Sequence, residues 1–154
     1  MLSSAKHAAE QRKARCCLEI LFPSIQYLAR QGSALRRHTG DEGNFKQLLL
    51  LCCRDKPAMQ RWLDRKTALT SPQAQNEILQ LMANTIIKSI ADKVAEAKQY
   101  AVIVDGTQDA SPKEQLAICL CYIDENFVPR EEFVGLYEPP DTTGATIARC
   151  IKLL

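Results

Sequence analysis

The stretch Tyr100–Ile123, YAVIVDGTQDASPKEQLAICLCYI, decides how the rest of the chain is read. Tyr100 to Val104 is a β-rich apolar run that stops at a carboxylate, Asp105. A loop of small and polar residues follows. Gln115 to Ile123 is then apolar at every second position on both parities, Leu116, Ile118, Leu120 and Tyr122 alternating with Ala117, Cys119, Cys121 and Ile123. A strand that is apolar on both faces belongs in the middle of its sheet.

The flanks extend this pattern. Asp124-Glu125-Asn126 is turn chemistry. Arg130 to Glu138 is more polar and holds Gly135, which suits an edge strand. Pro139-Pro140 ends it, and Thr142 or Thr143 can cap a helix over GATIARCIKLL. Short connections between three strands predict an antiparallel meander.

Upstream the period changes from two to that of a helix. Leu18, Leu21, Ile25 and Leu28 form a stripe from Arg15 to about Arg30, with Pro23 expected to kink or split it and Gly32 to stop it. Asn44 is placed to cap a helix through FKQLLLLCCR, and Pro57 opens a short one, PAMQRWLDRK. Ser71 and Pro72 begin the longest stripe, in which Leu79, Met82, Ile86, Ile90, Val94 and Ala97 recur at spacings of three and four. This helix is expected to pack on the strands after it. The domain reading is a disordered polar tail over 1–14, a helical region over 15–99 and a β-β-β-α unit over 100–154. The fold class is α+β.

Composition limits the functions open to such a chain. It has 154 residues, 46% of them hydrophobic and 25% charged, as in an ordinary globular protein. No apolar run reaches the length of a membrane span, so no membrane partner is expected. The seven cysteines are an odd number without metal-ligand spacing, which favours reduced thiols used as small apolar side chains. Six glycines make no phosphate loop, and Ser3, Ser4 and Ser33 have no nucleophile-elbow context. His38 has no neighbour that would make it a catalytic base.

Charge is unevenly spread. Residues 1–99 carry 16 Lys/Arg against 9 Asp/Glu, and residues 100–154 carry 4 against 9. A basic front favours nucleic acid, although a solvated helical surface has the same composition. Arg36 and Arg37 are the candidate DNA contacts.

The segments LARQGSALRRH, GNFKQLL, TSPQAQNEIL and VIVDGTQDASPKEQLAICLCYID, in that order, resemble the domain of unknown function in hAT-type transposases and their zinc-finger MYM-type relatives. The resemblance runs from about Arg15 to Leu154. It implies a ribonuclease H-like core, nuclear residence, and DNA strand cleavage and transfer with two divalent ions, Mg or Mn, in a complete core. It makes Asp105 the first catalytic acid and a metal ligand. A carboxylate on a rigid strand suits that role, because two metal ions about 3.5–4 Å apart must clamp the attacking and leaving oxygens.

The family's second aspartate and its glutamate fall after this region. Asp109 and Glu114 are loose substitutes. The family's usual aspartate-glutamate-threonine-threonine-aspartate reads Asp105-Gly106-Thr107-Gln108-Asp109 here, and Arg37 stands where glycine is common. The expectation is therefore an incomplete ribonuclease H-like core, a truncated or degenerate transposase remnant that is no enzyme by itself and needs no cofactor. Its alternative is a domesticated protein- or DNA-interaction module using the basic helical half. A third reading is a nuclease completed by a partner's carboxylates. The free edge of Tyr100–Val104 predicts self-association or a protein partner that covers it.

Overall fold

The computed structural model describes residues 2–37, 43–65, 68–108 and 114–152. The elements run α1 (Leu2–Arg30), α2 (Asn44–Cys52), α3 (Pro57–Leu63), α4 (Pro72–Ala97), β1 (Tyr100–Gln108), β2 (Glu114–Ile123), β3 (Pro129–Tyr137) and α5 (Gly144–Lys152). This is the α+β order read from the sequence. The chain divides into two compact units, Met1–Ala83 and Asn84–Leu154, with the boundary inside α4 rather than at residue 100.

The helical unit is built on one stripe of α1. Cys17, Leu21, Ile25 and Leu28, at helical spacing, are buried together with Phe45 and Leu49 of α2, Cys53, Met59 of α3 and Ile78 of α4. α1 begins at Leu2 and takes in the polar segment assigned above to a disordered tail. Pro23 does not split it. Proline has no N–H to donate to residue 19, and beside it the Ser24 hydroxyl donates to Ile20 O at 2.8 Å.

α1 ends in a Schellman motif. Ser33 N donates to Leu28 O at 2.9 Å and Gly32 N to Ala29 O at 3.1 Å, with Gly32 at φ +61°. The chain then runs back across α2. Phe45 N donates to Leu35 O at 3.1 Å, and Asn44 Nδ2 donates to Ala34 O at 2.8 Å. Asn44 therefore does not cap α2; Gly43 holds the cap position, with no side-chain cap. A Cβ on Gly43 would sit 3.1 Å from Leu35 O, so a larger residue there would push the two segments a few tenths of an ångström apart. The LARQGSAL and GNF segments thus form a structural clasp.

The start of α4 follows the sequence reading. Ala74 N donates to Ser71 Oγ at 3.2 Å, and the buried Gln75 reaches back, its Nε2 donating to Thr70 O at 2.7 Å. The long stripe does not serve one surface. Ile78, Leu79 and Met82 join the helical core, Ile90, Val94 and Ala97 pack with the sheet residues Leu120 and Tyr122, and Ile86 between them is 60% exposed.

The sheet is an antiparallel meander in the order β1-β2-β3. β2 is central, as its two apolar parities require. β1 runs four residues beyond the stretch read as strand, because Asp105 to Gln108 pair with Ala117 to Glu114. β3 pairs with β2 across a bulge, where Ile118 faces Gly135 and Cys119 faces Phe133, leaving Val134 as the extra residue.

One face of the sheet is covered. Leu116 and Ile118 are buried with Cys150 of α5, and Val102, Val104, Tyr137 and Ile147 pack around them. α5 is held by Thr143, whose Oγ1 accepts from Thr146 N at 3.4 Å and donates to Asp141 Oδ1 at 2.6 Å. Thr143, rather than Thr142, is the cap. The Asp141 carboxyl is pulled down to about 2, chiefly by the Thr143 hydroxyl and then by the Thr146 side chain.

Candidate functional site

Asp105 is the sixth residue of the nine-residue β1 and is solvent-exposed. Strand alternation places it on the parity of Ala101 and Ile103, opposite to that of Val102 and Val104, which pack in the core. It therefore stands on the uncovered face. Its cross-strand row is Asp105, Ala117 of β2 and Leu136 of β3. The next row is Ile103, Cys119 and Phe133, and the one after is Ala101, Cys121 and Glu131.

Toward the Ile103 row the surroundings of the carboxylate are apolar and open, whereas the row on its other side pairs Thr107 with Gln115. Ile103 is 41% exposed, Phe133 55% and Leu136 58%. Cys119 and Cys121 are half-buried free thiols on the same face. The free edge of β1 lies beside this face, since β1 pairs only with β2 among the described residues.

The acidic residues proposed as companions do not gather around Asp105. Glu114 pairs with Gln108 and has the parity of Leu116 and Ile118, so it belongs to the opposite face. Asp109 lies outside the described residues, as does His38. Glu131 shares the face but sits two rows away on a different strand. Among the described residues no three His, Cys, Asp or Glu side chains come together as a metal site. A two-metal centre needs several carboxylate oxygens converging within a few ångströms. Asp105 among Ala117, Ile103 and Leu136 does not meet that requirement.

Arg36 and Arg37 follow the Schellman turn in the helical unit, and both are exposed. Arg36 Nη2 donates to Asn76 Oδ1 at 2.8 Å. That bond ties the loop after α1 to the first turns of α4, so Arg36 has a structural partner at the position proposed for a phosphate contact. The other basic cluster of this unit is self-paired in part: Lys13 and Arg65 both approach Glu10, at 3.2 and 3.8 Å, and Arg65 lies 5.1 Å from the Trp62 ring.

The Asp124-Glu125-Asn126 turn of the sheet unit holds a further polar arrangement. Asp124 Oδ1 accepts from Asn126 N at 2.9 Å and Val128 N at 3.0 Å, and Oδ2 accepts from Arg130 Nε at 2.7 Å. These bonds hold its carboxyl below the usual range, the Val128 N–H contributing most. They close the β2–β3 hairpin. The sequence signal was present, an Asp two and four residues before the N–H groups it captures, but it reads as ordinary turn chemistry.

Comparison with known proteins gives the chain a family. The family described as ZMYM1/FAM200, RNase-like domain (DUF4371) matches residues 1–154. The human protein named 52 kDa repressor of the inhibitor of the protein kinase is 24% identical over 138 residues, covering 82% of this chain and 18% of that protein. This chain thus spans under a fifth of that relative's length. No solved structure matches the chain. A helical unit joined to an antiparallel meander and helix, matched end to end by one family, identifies the chain as a member of the ZMYM1/FAM200, RNase-like domain family.

Proposed function

We propose that this chain is part of a transposase-derived, ribonuclease H-like core of the hAT type that does not cut or join DNA by itself. The observation carrying this reading is that, among the described residues, no second carboxylate shares the cross-strand row of Asp105. Its row is completed by Ala117 and Leu136, and the nearest residue on β2 with a carboxylate, Glu114, has the opposite parity. One carboxylate is too few to clamp both oxygens of a phosphoryl transfer. The apolar open face and a β1 edge with no partner strand among the described residues support reading the sheet as a portion of a larger core, as does the small share of the human relative that is covered. The family's Mg or Mn would need ligands from outside these strands.

A second reading, an interaction module in the nucleus, is favoured by the name of the human relative, a repressor rather than a nuclease. DNA through the basic helical half, or a second copy or other protein on the β1 edge, would be its partners. The first reading is tested by incubating the purified chain with plasmid DNA and Mg²⁺ or Mn²⁺. No nicking above background is expected. Cutting that disappears in Asp105→Ala would refute the proposal and point to a site completed within the chain or by a second copy of it. The second is tested by DNA binding across a salt series. Salt-sensitive binding that weakens with Arg37→Ala supports it, and binding indifferent to both removes DNA from the partner list.

A further inference from the structure

The end of the sheet away from Asp105 carries a second surface. β1 starts there with Tyr100 paired to Tyr122, about 17 Å along the strand from Asp105 at 3.4 Å per residue. A groove of about 730 Å³ opens there between the last turns of α4 and the β2–β3 hairpin. Its apolar part is formed by Ala97, Tyr122 and Ile123, with Phe127 at the lip.

Phe127 is an unusual residue for its place. The hairpin loop follows Asp124 with two turn residues and then a residue in the left-handed region, where glycine or asparagine is normal. Phe127 fills that position at φ +59° and is 89% exposed. Its ring thus gains little packing in return for the backbone strain. Ile123 and Val128 beside it are 59% and 42% exposed. A projecting aromatic flanked by apolar side chains is the usual form of an interface anchor.

The charges of the groove specify what would sit in it. Lys93 is paired with Glu132 at 3.6 Å and Arg130 with Asp124 at 2.7 Å, so both cations of the lining are already neutralised. Glu96 and Glu125 remain, both exposed, one on each wall. The groove therefore offers carboxylates and an aromatic face beside an apolar floor. Carboxylates and an aromatic face both attract guanidinium or ammonium groups.

We propose that this groove is a docking site for a cationic amphipathic segment of another protein, with Phe127 as the anchor and Glu96 and Glu125 as the charge partners. The site is remote from Asp105 and does not depend on whether the core cleaves DNA.

The test uses the full chain and a fluorescein-labelled amphipathic peptide of Leu and Arg, followed by fluorescence anisotropy. A Leu/Glu peptide of equal length and a short DNA duplex serve as competitors. Phe127→Gly is the informative variant. Glycine relieves the positive φ, so the fold should keep or raise its melting temperature, while peptide affinity should fall about tenfold or more. Glu96→Gln with Glu125→Gln should weaken binding and flatten its salt dependence. No binding of the Leu/Arg peptide to the unmodified chain would overturn the proposal. So would equal affinity in Phe127→Gly, or equal displacement by the Leu/Glu peptide. A concentration-dependent dimer dissolved by Phe127→Gly would also overturn it, by giving the groove to a second copy.

Discussion

Replacing Ile118 by alanine tests the claim that the sheet has one load of packing, on one face only. Ile118 is fully buried between Leu116, Cys150 and the partly buried Val102, Val104 and Ile147. Ile→Ala removes three carbons, worth about 2.4 kcal/mol at roughly 0.8 kcal/mol per buried methylene. A central strand held on both sides by β1 and β3 cannot collapse far. A residual cavity of about 40 Å³ adds about 1 kcal/mol at 24 cal/mol per Å³. The expected loss is about 3 to 3.5 kcal/mol. Leu136→Thr, on the open face, removes a side chain already 58% exposed and should cost about 1 kcal/mol or less, since threonine suits a strand. Amide hydrogen exchange in peptides from β2 reads both variants on the unit that carries them, whereas Trp62 fluorescence would report the helical unit. A Leu136→Thr cost equal to that of Ile118→Ala would mean that the open face is in fact covered, and the argument from Asp105's exposure would fail.

Three further outcomes follow from the same structure. Asp141 and Asp124 both have carboxyls held below the ordinary value of 3.8, Asp141 at about 2, by hydrogen bonds from the folded chain. A depressed carboxyl stabilises above its unfolded value, and that stability is lost as pH falls through the folded one. The protection factor of amides at the start of α5 should therefore fall between about pH 4 and pH 2, and Asp141→Asn should flatten that fall. Gly32→Ala should cost about 1 kcal/mol through its positive φ alone, since its Cβ would meet nothing; urea titration followed by Trp62 emission reads it. Cys16 and Cys52 are exposed and should alkylate first with iodoacetamide. Cys17 and Cys53, whose thiols burial pushes upward, should alkylate only as the helical unit unfolds, a difference mass spectrometry resolves over time.

Much of this architecture could be read from residue order, because periodicity reports the burial of an element. The period-two run in Gln115–Ile123 marked a central strand, and the stop at Gly32, the Ser71 cap and the Pro57 start are local chemistry that depends on a few neighbouring groups. Readings that needed the neighbours of an element were less secure. Asn44 has cap chemistry, but its amide is taken by Ala34 across the clasp. The stripe of α4 reads as one surface, yet it feeds two cores with Ile86 bare between them.

β2 displays the division most clearly. Its alternating apolar sets, Leu116-Ile118-Leu120-Tyr122 and Ala117-Cys119-Cys121-Ile123, are enough to make it the middle strand of an antiparallel meander. They are too alike in hydrophobicity to say which set is inside. That choice was made by α5 and the end of α4, which pack on the larger side chains and leave the smaller ones open. The same choice placed Asp105 on the open face, away from Glu114. Alternation along a strand is a property of the backbone and visible in the sequence, whereas the face that loses its water is decided only when helices distant in the chain come to rest on it.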